Sequence, residues 1–298
     1  MQAASGAFSA DLLPRFKAQI LNLCQVAFAA GAVIGPLCAA HYINSALAAS
    51  SWRGVYLTFA AAVAVLFVLF AVLRGGASAA HSASTNRSHK TSSPATAASP
   101  STLQGLLISP AFLALCTAQL FYAGAEVGYF EWMPTYIRYR APHAGTLATG
   151  CVSLFWFGMT LGRMIMAPLL MRFRPLPLGS LLAICGGAAA LATLAADSGR
   201  ALGTCILLVG LFFGGVYSSI LVESGFRFPG ALGAAIGGIA AASSCGTSTI
   251  PWAVGAVAAS PAGWHAGLML IPISAAISAA VLLALNLHGR NHSLPTRL

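Results

Sequence analysis

Residues 121–137 read FYAGAEVGYFEWMPTYI and sit inside a longer apolar segment, residues 108–137, that carries two carboxylates and no base before Arg138. The apolar residues run on without the strict alternation of a barrel strand, and about thirty residues at 1.5 Å each suffice to cross a bilayer as a helix. The segment reads as a transmembrane helix with Glu126 near its middle. An ionisable side chain there costs at least a few kcal/mol, so it faces a water-filled cavity or a partner and marks a solute or proton pathway.

The rest of the chain agrees with a membrane setting. Of 298 residues, 58% are hydrophobic and 7% charged, and the mean hydropathy is +0.83; a soluble chain carries about 25% charged residues. Apolar runs bounded by charge, Pro and Gly predict spans near residues 16–45, 53–73, 108–137, 146–170, 177–196, 201–222, 231–258 and 264–287. The expected fold is thus an all-α membrane protein with about eight transmembrane helices. Residues 74–103 lack apolar periodicity and are rich in Ser, Thr, Ala and Pro, the composition of a disordered tether. The predicted layout is an N-terminal segment at 1–14, two helices at 15–73, a linker at 74–103, a six-helix bundle at 104–287 and a tail at 288–298.

The net charge of +10 follows from sidedness rather than from a nucleic-acid partner, because the basic residues are scattered between apolar spans. With a cytoplasmic N-terminus, Arg15, Lys17, Arg74, Arg87, Lys90, Arg163, Arg172, Arg174, Arg227, Arg290 and Arg297 fall inside. Only Arg53, Arg138, Arg140 and Arg200 fall outside. The positive-inside rule then predicts a multi-pass protein with both termini and the linker cytoplasmic. Residues 1–14 hold Asp11 and no base, which excludes a secretory signal. The seven cysteines lie in apolar spans without CxxC or Cys/His spacing, as small buried hydrophobes do.

Two segments look alike. Gly35-Pro36 precedes Trp52-Arg53, and Ile250-Pro251 precedes Trp264-His265; each pair sets a small-residue helix containing Pro before a short external loop and a long apolar helix. If 15–73 and 230–287 are equivalent, the second copy has six helices and the first has two. Parallel repeats about an axis along the membrane normal build the two halves of major facilitator transporters.

Residue patterns carry the same resemblance. The runs AFAAGAVIGPLCAA and SSWRGVYLTFAAA, within residues 23–62, resemble the fifth and sixth helices of a major facilitator transporter. The stretch at 121–137 resembles the seventh helix of its fucose permease-like, sugar:proton symporter branch. SLFWFGMTLGRMIMAPLLMRF (Ser153 to Phe173) resembles the eighth helix and the loop after it. The similarity centres on Gly124, Glu126, Trp132, Trp156, Gly162, Arg163 and Arg172. It departs from the family pattern in placing Met171, not an acid, before Arg172, and in lacking counterparts of the first four helices. The resemblance implies proton-coupled transport of a sugar by alternating access.

Helical spacing supplies candidate site residues. Gln119, Tyr122, Glu126 and Tyr129 fall at i, i+3, i+7 and i+10, on one stripe. A carboxylate flanked by an amide and two phenols suits a sugar or similar small polar solute, hexoses included, and a proton as coupling ion. Glu131 is placed toward the external end, near Arg138 or interfacial water. Trp156 shares a face with Arg163, which either locks an inward gate through Glu223 or snorkels as a cytoplasmic anchor. Arg172 belongs to the following loop. Asn22 and Gln25 are the polar candidates of the first span. Gly237, Ala241, Ser244 and Ser248 form a small-residue stripe read as a packing face, with Ser244, Thr247, Ser248 and Trp252 as alternative cavity contacts. His41, His143 and His265 fall at external ends and read as interfacial.

Enzymatic and metal chemistry are not expected. The chain has no GxSxG, HExxH, P-loop or GxGxxG pattern with a following acid, and Asp11 and Asp197 read as isolated loop residues. No cofactor is predicted. Two functions remain: a proton-coupled solute carrier in the lipid bilayer, or a non-transporting truncated relative acting as a membrane interaction protein. The oligomeric state is open.

Overall fold

The computed structural model describes residues 31–38, 51–81, 105–141 and 145–291. These divide into two compact units, one drawn from Leu37–Ala97 and the other from Met1–Pro36 together with Ala98–Leu298. In the first unit, helix α1 covers Ser51–His81. Its apolar residues from Tyr56 to Leu69 are largely exposed, a surface that hydrocarbon solvates without penalty. The helix continues through residues 74–81, which were expected to open the linker. Ala and Ser in that stretch permit another two turns. The remainder of the linker, residues 1–14, Asn22, Gln25, His41 and His143 lie outside the described residues.

The second unit holds α2 (Pro110–Arg140), α3 (Gly145–Arg172), α4 (Pro175–Ala195), α5 (Gly199–Phe213), α6 (Val216–Arg227), α7 (Leu232–Ala258) and α8 (Gly263–Asn291), with a 3-10 turn at Pro229–Ala231. Among the described residues, six segments are long and apolar enough to cross a membrane: α2, α3, α4, α5 with α6, the turn with α7, and α8. Their bounds lie within about five residues of the runs predicted from composition. The start and stop signals are local. Pro110 and Pro175 open α2 and α4 at a position where the missing N–H costs nothing. Ser198 caps α5 by accepting from the Ala201 N–H at 3.2 Å. Gly263 takes φ +74 in the turn before α8, where a side chain would be strained.

One expected span is two helices. Residues 201–222 were read as continuous, yet α5 ends at Phe213 and α6 restarts at Val216. Gly214 and Gly215 separate them. Residues 31–36 group with the second unit, where the Ser153 hydroxyl donates to the Val33 carbonyl at 2.9 Å.

Close packing between α3 and α5 rests on glycine. Gly158 and Gly162 on α3 lie against α5 at Gly210 and, just past its end, Gly214, and a methyl at Gly162 would meet the Leu211 carbonyl. Backbones approach this closely only where side chains are absent on both surfaces. Between α2 and α7, Gly246 lies against the Leu120 carbonyl in the same manner. Hydrogen bonds from Ser278 to the Ala118 carbonyl (2.8 Å) and from Ser180 to the Ala279 carbonyl (3.1 Å) tie α8 to α2 and α4. The stripe Gly237, Ala241, Ser244 and Ser248, read as a packing face, points outward instead: Ala241, Ser244 and Ser248 are exposed and Gly237 has open space around it. The opposite face of α7, with Gly246 and Val254, is the one that packs.

Candidate functional site

Helix α2 puts three phenols, Tyr122, Tyr129 and Tyr136, at seven-residue intervals, all fully buried within the bundle. Glu126 lies one turn beyond Tyr122 and remains half-buried. The Tyr122 hydroxyl donates to the Phe213 carbonyl at 2.7 Å, and the Glu126 carboxyl lies near it, one helical turn along the same side of α2. Its ring meets the Phe213 ring edge-on, centroids 5.7 Å apart.

Arg163 of α3 stands within electrostatic range of Glu126, Tyr122 and Tyr217. Its guanidinium donates to the Met159 sulfur at 3.4 Å. Tyr217, two residues past the Gly214-Gly215 break, brings a second phenol toward Glu126. On the same face of α2, one turn beyond Glu126, Phe130 meets Trp156 of α3 at 5.6 Å, and Phe155 meets both. The result is a half-buried patch of one carboxyl, one guanidinium, one available phenol and two aromatic rings, contributed by α2, α3 and α6. Such a patch binds and releases protons, hydrogen-bonds hydroxyls and stacks on an apolar ring face.

Several sequence candidates sit elsewhere. Tyr129 turns into the core, where its hydroxyl meets Thr193 Oγ1 at 2.9 Å; Thr193 itself donates to the Ala189 carbonyl, so Tyr129 is the donor. Gln119 is buried and donates to Ser243 Oγ at 3.2 Å, while its Oε1 finds no partner among the described residues. The stripe is covered because each tip reaches a neighbouring helix: Gln119 meets Ser243 of α7, Tyr122 the Phe213 carbonyl at the end of α5, and Tyr129 the Thr193 hydroxyl of α4. Glu223 pairs with Arg227 at 2.6 Å, one turn along α6, so of the two readings of Arg163 the gate contact with Glu223 is not made among the described residues. An i,i+4 partner on the same helix is always within reach, and the Arg163 guanidinium likewise turns to Met159 on its own helix. Arg172 is exposed at the end of α3. Asp197 is not isolated; it pairs with Arg140 at 2.8 Å, so the outer acid–base contact involves Arg140, and Glu131 is exposed.

Trp132 donates to the Pro251 carbonyl at 2.8 Å and meets Trp264 at 5.7 Å. His265 lies edge-on to Tyr136 at 6.0 Å. These contacts join α2, α7 and α8 at the end that holds Arg138 and Arg140. Phe130 and Tyr217 were missed in the sequence; the i+4 spacing from Glu126 marks the first, and the Gly-Gly step before Val216 marks the second. Among the described residues, no three His, Cys, Asp or Glu side chains gather to hold a metal ion.

Residues 1–224 match the Major Facilitator Superfamily, and the chain belongs to that family of membrane transporters. No individual characterised protein gave a significant match.

Proposed function

We propose that the protein is a proton-coupled transporter of a sugar or similar small polar solute, working by alternating access in the manner of the fucose permease-like branch, with both termini cytoplasmic. The observation that carries this reading is Glu126, a carboxyl half-buried in mid-span beside Arg163, Tyr122 and Tyr217. A membrane carboxyl of this kind is retained for the pathway it serves. Glu126 carries the proton or holds a solute hydroxyl, Arg163 tunes its charge, and Trp156 with Phe130 supplies rings for the solute's apolar face. Gln119 and Tyr129 support this site from behind rather than lining it. Four outward bases against eleven inward ones support the orientation.

Uptake of labelled hexoses into proteoliposomes under an inward proton gradient tests the proposal. Uptake is expected to depend on the gradient, to be competed by a subset of unlabelled polyols, and to fall at least tenfold in Glu126→Gln. Folded protein with no uptake at any pH overturns the carrier reading in favour of a non-transporting relative. Uptake unchanged by Glu126→Gln removes the proton site.

A further inference from the structure

Tyr122 has one hydroxyl proton and two acceptors competing for it. In the structure that proton goes to the carbonyl of Phe213, 2.7 Å away, the last residue of α5 before the Gly214-Gly215 break. The second acceptor within reach is the Glu126 carboxyl, four residues on and on the same side of α2. A protonated Glu126 donates its own proton to the Tyr122 oxygen, and Tyr122 keeps its bond to Phe213. An ionised Glu126 accepts only, and a charge-assisted hydrogen bond outcompetes a neutral one. The Tyr122 proton then turns to the carboxylate, and the Phe213 carbonyl loses its partner.

A buried carbonyl does not stay unpaired. Phe213 is four residues before Tyr217, so the α-helical donor to its carbonyl is the Tyr217 N–H, which lies in the first turn of α6 where helix donors lack intrahelical acceptors. Forming that bond carries the helix across Gly214-Gly215. Those two residues also lie against neighbouring helices: a methyl at Gly214 would press on the Met159 carbonyl of α3, and one at Gly215 on the side chains of Met166 on α3 and Leu182 on α4. Closing the break therefore moves α6 against α3, the helix that carries Arg163.

We infer that Tyr122 is a positioning residue that couples the proton on Glu126 to the break between α5 and α6, through the Phe213 carbonyl. This rests on the proposed role of Glu126 as proton carrier. Among the described residues, the titratable and charged groups near Glu126 are Tyr122 from α2, Arg163 from α3 and Tyr217 from α6. Helix α7 has no charged residue, and His265, His288 and Arg290 of α8 lie at its ends. With Glu126 protonated, Tyr122 holds the break open; with Glu126 ionised, the break closes and α6 swings.

The test places spin labels at Thr204 and Phe226, both exposed, in an otherwise cysteine-free full chain in proteoliposomes, and measures their separation by pulsed dipolar spectroscopy from acidic to alkaline pH. About 22 residues of helix separate the sites, roughly 33 Å, within the range of the method. The wild type is expected to shift between two separations with pH. Glu126→Gln, which mimics the protonated acid, is expected to hold the acid-side separation at every pH. Tyr122→Phe is expected to abolish the shift and flatten the pH profile of uptake while leaving KM within about threefold. A wild-type-like shift in folded Tyr122→Phe overturns the coupling. If Tyr122→Phe does not fold, a pH-responsive Glu126→Gln overturns it instead. Loss of Glu126-dependent uptake as such belongs to the functional reading above, and is scored separately from the separation measurement.

Discussion

At the scale of single residues, each tyrosine of α2 is defined by where its hydroxyl goes. Tyr129 spends its proton on Thr193, away from the half-buried patch, so Tyr129→Phe is expected to leave uptake within about twofold of wild type. Unfolding in detergent should show a loss of about 0.6–1.5 kcal/mol, the range for one buried interhelical hydrogen bond. Tyr122 differs because its proton has two destinations. Spacing alone made the two phenols equivalent; four residues before and three residues after a carboxylate on a helix give a stripe but not the identity of the helix that covers it. Glu223 illustrates the same limit. Its pairing with Arg227 uses the local i,i+4 geometry, and that option was readable from the sequence, whereas the direction in which Arg163 projects depends on how α3 is rotated against α2 and α5.

At the scale of elements, the decisive contacts are between backbones. Gly158, Gly162, Gly210 and Gly214 bring α3 and α5 together with no side chain between them. Gly162→Leu is expected to destabilise the protein by more than about 3 kcal/mol, because Leu211 presents backbone rather than a movable side chain at that point. Gly237→Ala, at an open position of α7, should be neutral or slightly stabilising through helix propensity. Thermal unfolding of the two variants side by side checks this contrast, and equal losses would show that the α3–α5 contact is not the tight one. Both surfaces contain small residues at helical spacing. Only the partner helix separates a packing stripe from one that faces outward, so the sequence could propose Gly237 and Ser244 as readily as Gly158 and Gly162.

At the scale of the whole molecule, the six apolar segments of the second unit alternate in direction through short connections, so their ends segregate. Arg172, Arg174 and Arg227 gather at one end, and Arg138, Arg140, Asp197 and Arg200 at the other. Given the positive-inside bias, a single cysteine at Arg174 should react with a membrane-impermeant maleimide only after the cytoplasmic side is opened, and one at Arg200 from the outside of intact cells. The reverse pattern would invert the orientation.

What the sequence by itself determined is the class: a helical membrane protein whose apolar segments in residues 105–291 begin and end close to where composition placed them. Hydrophobic length, proline at a helix start and glycine at a stop act within a few residues, so a single chain displays them. The tertiary structure alone decided which face of each helix is covered, that residues 201–222 contain a break, and that Tyr122 answers to Phe213 ninety-one positions away as well as to Glu126. Those outcomes depend on helix rotation and on the identity of the neighbour, and both are set by packing between segments distant in the chain.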